Sequence, residues 1–223
     1  MGFKKVIFAA IGYIIEYNKP LAKALLFPFS LYMLLDLSEL LDHNFFTALV
    51  FSILTLMVQT LFAITTHRMI LLGPKSIPEW GLFKWSKRET FFALHIVGLS
   101  LITIPIMPLG SIPFLGGPIF IGLVCWLFSR LSLVFPAIAI NQGGSFKSSW
   151  ELTKKHQMLM FLVVIVFPIT LLIPAYLFSL FPYTFLLTSL LTNLLMTFTT
   201  ILVVAALSAS YKVVCHEVYE SKL

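Results

Sequence analysis

Six apolar stretches alternate with links of two chemically different kinds, and this alternation constrains the chain more than any motif in it. A helix needs about 20 apolar residues to cross the hydrocarbon core of a bilayer. Residues 21–41, 45–67, 90–109, 112–140, 159–181 and 183–211 reach that length. The links after the first, third and fifth stretches are tight and carry turn residues: Asp42-His43-Asn44, Gly110-Ser111 and Pro182. They hold no Lys or Arg, and Asp36, Glu39 and Asp42 cluster near the first.

The cations occupy the other links and both chain ends. Lys4, Lys5, Lys19 and Lys23 precede or open the first stretch; Arg68, Lys75, Lys84, Lys87 and Arg88 follow the second; Lys147, Lys154 and Lys155 follow the fourth; Lys212 and Lys222 follow the sixth. Arg130 lies within the fourth stretch, nearer the same side. Short loops rich in Lys and Arg stay on the cytoplasmic side. An even number of spans is required for both ends to share that side, so the count and the charges agree. The expectation is an all-α integral membrane protein: one six-span domain over residues 1–223, with the N- and C-termini in the cytoplasm.

Composition closes off the soluble alternative. Apolar residues make up 59% of the chain, charged residues 11%, and the mean hydropathy is +0.99. A soluble fold with so few charges would have to present an apolar exterior, which lipid accepts and water does not. The net charge of +6 follows from the positive-inside pattern and implies contact with anionic phospholipid headgroups, not with nucleic acid. Cys125 and Cys215 have no CxxC partner and read as small apolar packers. After Lys4 and Lys5 the apolar run meets Glu16, Tyr17, Asn18 and Lys19 without a small-x-small site, so a cleaved leader is not expected.

Three segments with aromatics and cations each precede a pair of spans and read as cytoplasmic interfacial elements. Residues 1–20 contain Phe3, Val6, Ile7, Ala10, Ile11 and Ile14 at helical spacing; residues 79–89 read EWGLFKWSKRE; residues 143–157 are expected as an interfacial helix around SFKSSWELTKKH. Trp80, Trp85 and Trp150 suit the headgroup layer. Pro28, Pro105, Pro108, Pro136, Pro168 and Pro174 lie within or beside spans and predict kinks there.

Residues 129–156, SRLSLVFPAIAINQGGSFKSSWELTKKH, place an Arg late in a span, then Pro-Ala, a Gly-containing break and Ser-Trp-x-Leu-Thr. This pattern resembles the YciC-like bacterial inner-membrane family and the related membrane domain of glycerophosphoryl diester phosphodiesterases. His67-Arg68 with Leu71-Leu72-Gly73, and then Trp85-Ser86-Lys87-Arg88-Glu89, are similar to small members of the same type. The resemblance implies a multi-pass protein of the bacterial cytoplasmic membrane with no settled activity. The soluble catalytic domain has no counterpart here, so phosphodiesterase chemistry is not implied.

Arg130 is the sharpest candidate for a functional contact. An ionised group within a span needs a protein, water or headgroup partner, and no Asp or Glu lies at comparable depth. Its partner would be a carbonyl freed by Pro136, a neighbouring helix end or a lipid phosphate. The bland alternative, an Arg snorkelling to the cytoplasmic headgroups, is the favoured one. His67 and Arg68 read as a lipid-phosphate contact or, preferably, as a topology anchor. Trp150 joins them as a candidate headgroup contact. His95, Gln59 and Asn193 read as polar glue between helices.

No catalytic residue, cofactor site or metal site is assigned. The histidines are scattered, and nucleophile elbows, P-loops and dinucleotide fingerprints are absent from the sequence. The terminal Ser-Lys-Leu matches a peroxisomal address by chance. Three function classes follow. The first is a non-enzymatic protein that binds a membrane partner or another copy of itself and supports envelope assembly. The second is a transporter or channel for a small solute or lipid. The third, ranked last, is a lipid-modifying enzyme, which would need His67, Glu89 and His156 gathered in one groove.

Overall fold

The computed structural model describes residues 2–39, 44–81, 84–179 and 185–220. Among them there is no strand. The helices are α1 (Phe3–Glu16), α2 (Asn18–Glu39), α3 (Phe45–Leu72), α4 (Lys87–Thr103), α5 (Gly116–Leu131), α6 (Val134–Ala139), α7 (Phe146–Thr153), α8 (Gln157–Phe161), α9 (Phe167–Ser179) and α10 (Phe185–Glu220). The Asp42-His43 link, Pro182 and the terminal Ser-Lys-Leu lie outside the described residues.

Among the described residues, five segments are long and apolar enough to cross a membrane: Phe45–Leu72, Lys87–Ser111, Gly116–Ala139, Gln157–Pro174 and Leu190–Glu217. They correspond to the second to sixth expected spans. The first expected span, 21–41, falls on α2, which is not among the five. That expected span runs past the end of α2 into residues outside the described ones.

The prolines shape the spans in three different ways. Pro28 and Pro174 are carried inside α2 and α9. Pro105 and Pro108 tighten the end of α4 into a 3₁₀ stretch over Ile104–Ser111. Pro168 follows a π-helical turn at Leu162–Val166, between α8 and α9. A proline gives no N–H to the carbonyl four residues back and crowds it, and a widened turn relieves that crowding. The fourth expected span, 112–140, is not one helix. It breaks at Ser132-Leu133 into α5 and the short α6, where the Ser132 hydroxyl turns back to the Ser129 carbonyl at 3.3 Å.

α10 is the central element, packing against α1, α3 and α9. Its stretch Ala205-Ala206-Leu207-Ser208-Ala209-Ser210 is buried throughout. Small side chains let neighbouring backbones approach closely, and in lipid this packing replaces the hydrophobic effect as the cohesive term. Val6 and Ala10 of α1 sit against this stripe with Ile70 and Val163. The interfacial segment expected at the N-terminus therefore buries one face of its helical pattern in protein, while Phe8, Ile11 and Ile15 remain exposed.

Burial is concentrated in one half of the bundle. α3 is buried at Val58, Thr60, Phe62, Ile64–Ile70 apart from Arg68, and at no position before Val58. Within α5, burial is confined to Gly116 and to Ser129, Arg130 and Leu131. The well-packed half is the one bearing the cations, called the basic end below. Hydrogen bonds between elements tie it together: Arg68 to Ala139, Tyr211 to Gln142 and Lys212 to Tyr13.

Candidate functional site

The basic end holds most of the buried polar groups, arranged as three hydrogen-bonded seams. The first joins α5 to α7. The α5 helix ends at Arg130–Leu131, leaving carbonyls without an intrahelical donor. Ser149 and Thr153 lie four apart on α7, hence on one face. Both hydroxyls donate to the Arg130 carbonyl, at 2.9 and 3.0 Å. The Arg130 side chain completes the junction. Its Nη2 donates to the Trp150 carbonyl at 2.7 Å, and its guanidinium carbon lies 4.4 Å from the Trp150 ring centroid. Trp126 meets the same indole edge-on, with centroids 5.0 Å apart.

Arg130 therefore does not snorkel. It is 4% exposed and directed into the α5–α7 junction. Its partner is a carbonyl of α7 and an indole face, not a carbonyl freed by Pro136. Among the described residues it forms no ion pair, and its buried Nε has no hydrogen-bond acceptor. Trp150 is half-buried as the platform beneath it, so its aromatic surface is largely spent on protein. α7 itself matches the helix expected within 143–157; it starts at a capping box in which Ser145 and Ser148 exchange side-chain and backbone bonds.

The second seam joins α3 to the loop after it and to α6. Arg68 donates from Nε and Nη2 to the Ser76 carbonyl at 3.2 and 3.0 Å, and from Nη1 to the Ala139 carbonyl at 3.2 Å. Ser76 answers by donating to the Arg68 and Gly73 carbonyls. The guanidinium thus secures two chain reversals with one planar group, a task a lysine ammonium cannot copy. The third seam joins α3 to α10: the His67 Nδ1 and Ser208 Oγ are 2.7 Å apart in the buried core. Ser208 gives its own proton to the Val204 carbonyl at 2.9 Å, which leaves its oxygen to accept from the imidazole. The ring packs beside Phe92, centroids 6.1 Å apart.

Glu89, named in the sequence only as a member of a possible His67–Glu89–His156 groove, is fully buried in another role. It forms the N-terminal capping box of α4 with Ser86. One carboxylate oxygen accepts from the Ser86 N–H at 2.9 Å and from its hydroxyl; the other accepts from Arg88, whose Nε is 2.8 Å away. The S-x-x-E spacing of Ser86 and Glu89 is the sequence signal for this capping role. Arg88 and Glu89 also pair through Nη2.

The structure does not gather His67, Glu89 and His156 in one groove; each is matched to a different partner. His156 faces Glu217, with Nε2 and Oε2 3.4 Å apart. His95 bonds to the Phe91 carbonyl of its own helix at 2.8 Å and packs on Phe146, so it is not glue between helices through a hydrogen bond. Asn193 does bridge helices, donating to Asp36 at 2.6 Å. Among the described residues no group of three His, Cys, Asp or Glu side chains is placed to hold a metal ion.

The division of labour between the two cationic residue types is sharp. Arg68, Arg88 and Arg130 are buried or half-buried and bonded within the protein. Lys4, Lys5, Lys19, Lys75, Lys84, Lys87, Lys147, Lys154 and Lys155 are exposed around the same end. No protein-family model, curated protein or solved structure matches this chain.

Proposed function

We propose that the chain is a non-enzymatic multi-pass protein of the bacterial cytoplasmic membrane, with six spans and both termini in the cytoplasm. Its basic end serves as a rigid platform that rests on anionic headgroups and receives a membrane-protein partner or a second copy in envelope assembly. The YciC-like resemblance supports the compartment. The observation that carries the reading is the split between arginines and lysines. Arginines are consumed in holding α3, α6 and α7 together, while exposed lysines surround a packed, bonded core. Such an arrangement keeps charge outward on a surface that cannot collapse, which favours docking over turnover.

The test is charge reversal on the lysines of α7 and its flank. Lys147→Glu, Lys154→Glu and Lys155→Glu together should leave membrane insertion intact and abolish chemical crosslinking to neighbours in the native membrane. An unchanged crosslinking pattern counts against the platform. A second reading, transport of a small solute or lipid, draws support from the sparse burial of the half opposite the basic end. A carrier of this kind would change the accessibility of residues around Gln59 when substrate is added.

A further inference from the structure

Gln59 places a hydrogen-bonding side chain in the middle of an apolar span. It lies 14 residues after the start of α3 and 13 before its end. At 1.5 Å per residue this is roughly 20 Å from either end, the mid-depth of a bilayer that α3 crosses. The side chain is exposed, and its amide has no hydrogen-bond partner among the described residues. An amide has two donor hydrogens and an acceptor oxygen, and leaving them unmatched in hydrocarbon costs on the order of several kcal/mol.

Gln59 borders a cavity of about 300 Å³ lined from four helices: Tyr32 of α2, Gln59 and Phe62 of α3, Ile96 of α4, and Thr197 and Thr200 of α10. This is the low end of the volume range of small-molecule sites. The lining contains no carboxylate, Lys, Arg or His. A charged occupant would be stranded at mid-depth without a counter-ion. Most of the remaining lining is apolar or aromatic.

We propose that this cavity binds the uncharged, hydrogen-bond-accepting head of a membrane-dissolved amphiphile, anchored by the Gln59 amide beside the rings of Tyr32 and Phe62. The site does not depend on the platform reading; it depends on α3 crossing the bilayer. The Gln59 N–H₂ donates to a carbonyl or ether oxygen of the head, and the aliphatic tail leaves through the open mouth of the cavity into lipid.

The experiment uses the full-length protein in lipid nanodiscs and a decyl-substituted benzophenone as probe, an uncharged aryl ketone that crosslinks to nearby C–H bonds under near-ultraviolet light. Peptide mapping should show saturable labelling on α3 near Gln59 and on α10 near Met196–Thr200. Gln59→Leu should weaken that labelling about five- to tenfold, the loss of one hydrogen bond. Gln59→Leu should also raise the melting temperature of the probe-free protein, because it removes an unmatched amide. Gln59→Asn, which keeps a shorter amide, should retain part of the labelling, and Ser52→Ala should retain all of it. Labelling that is unsaturable and spread over the lipid-facing helices, or unchanged in Gln59→Leu, overturns the site. So does a Gln59→Leu variant that turns a dimer into a monomer, since the amide would then serve a second copy.

Discussion

Arg130 and Trp150 meet twice: the guanidinium donates to the Trp150 carbonyl at 2.7 Å and lies over the indole of the same residue, 4.4 Å from its centroid. The Arg130 carbonyl meanwhile accepts the Ser149 and Thr153 hydroxyls. Twenty residues of chain, including α6 and the turn at Asn141–Gly143, are closed into a loop by these contacts.

This closure makes Arg130 a structural residue first. Arg130→Met should destabilise the protein by about 1–3 kcal/mol, from the lost hydrogen bond and cation–π contact. Membrane abundance should fall with it. SDS-unfolding titrations of Arg130→Met, Trp150→Leu and the double variant should show coupling of about 1 kcal/mol or more. Additive single effects would mean that the two residues act separately.

His67 and Ser208 should couple more weakly. Their bond joins α3 to α10 at 2.7 Å. Hydrogen bonds between membrane helices average roughly 0.6 kcal/mol in such cycles, because the unfolded chain in lipid also finds partners. His67→Ala with Ser208→Ala should therefore give a coupling of about that size. His67→Ala alone should cost more, since it also leaves a cavity beside Phe92.

Gly81 has two reasons to be glycine. Its φ is +64°, in the left-handed region. A Cβ there would lie 1.9 Å from the Ala24 carbonyl oxygen of α2. Gly81→Ala must separate the loop from α2, and it should abolish the Lys23–Trp80 approach, now 5.2 Å from ammonium to ring centroid. Tryptophan emission at this site should shift, and folded yield should fall steeply. A normal yield with unchanged emission would show that the loop docks in some other way.

Orientation is open to a direct measurement. Lys75 and Ser111 are exposed at opposite ends of α4 and its flanking links. On a background with Cys125 and Cys215 replaced by Ser, an impermeant maleimide should label Lys75→Cys only in inside-out vesicles. On the proposed orientation it should label Ser111→Cys only from outside intact cells. The reverse pattern inverts the topology. Labelling of both from one side removes α4 as a span.

Much of the architecture is legible in the amino-acid sequence. Apolar length alone located the five segments able to cross a membrane, since a span depends on a local run of side chains. The start of α3 falls at Phe45, directly after the Asn44 cap, whose Oδ1 accepts the Thr47 N–H at 2.9 Å. The break of 112–140 into α5 and α6 was not legible, because Pro136 suggested a kink inside one helix and not a separation at Ser132-Leu133. Nor was the fate of Arg130. Depth and charge predicted a residue in need of a partner, and snorkelling was the favoured answer; the partner came from a helix 20 residues away in the chain.

The sequence by itself determined the solvent and the helices. Hydropathy over 20 residues and the placement of lysines are sums over local chain, and lipid responds to those sums. Only the tertiary structure decided which polar groups are spent and which are left over. Arg68 and His67 read as anchors at a span end and Arg130 as an ionised group within a span, yet each is hydrogen-bonded inside the protein. Gln59 read as ordinary glue, yet it borders a cavity and its amide has no partner among the described residues. Hydrogen bonds act over about 3 Å, so their outcome depends on which helices meet and at what register, and local sequence does not contain that information.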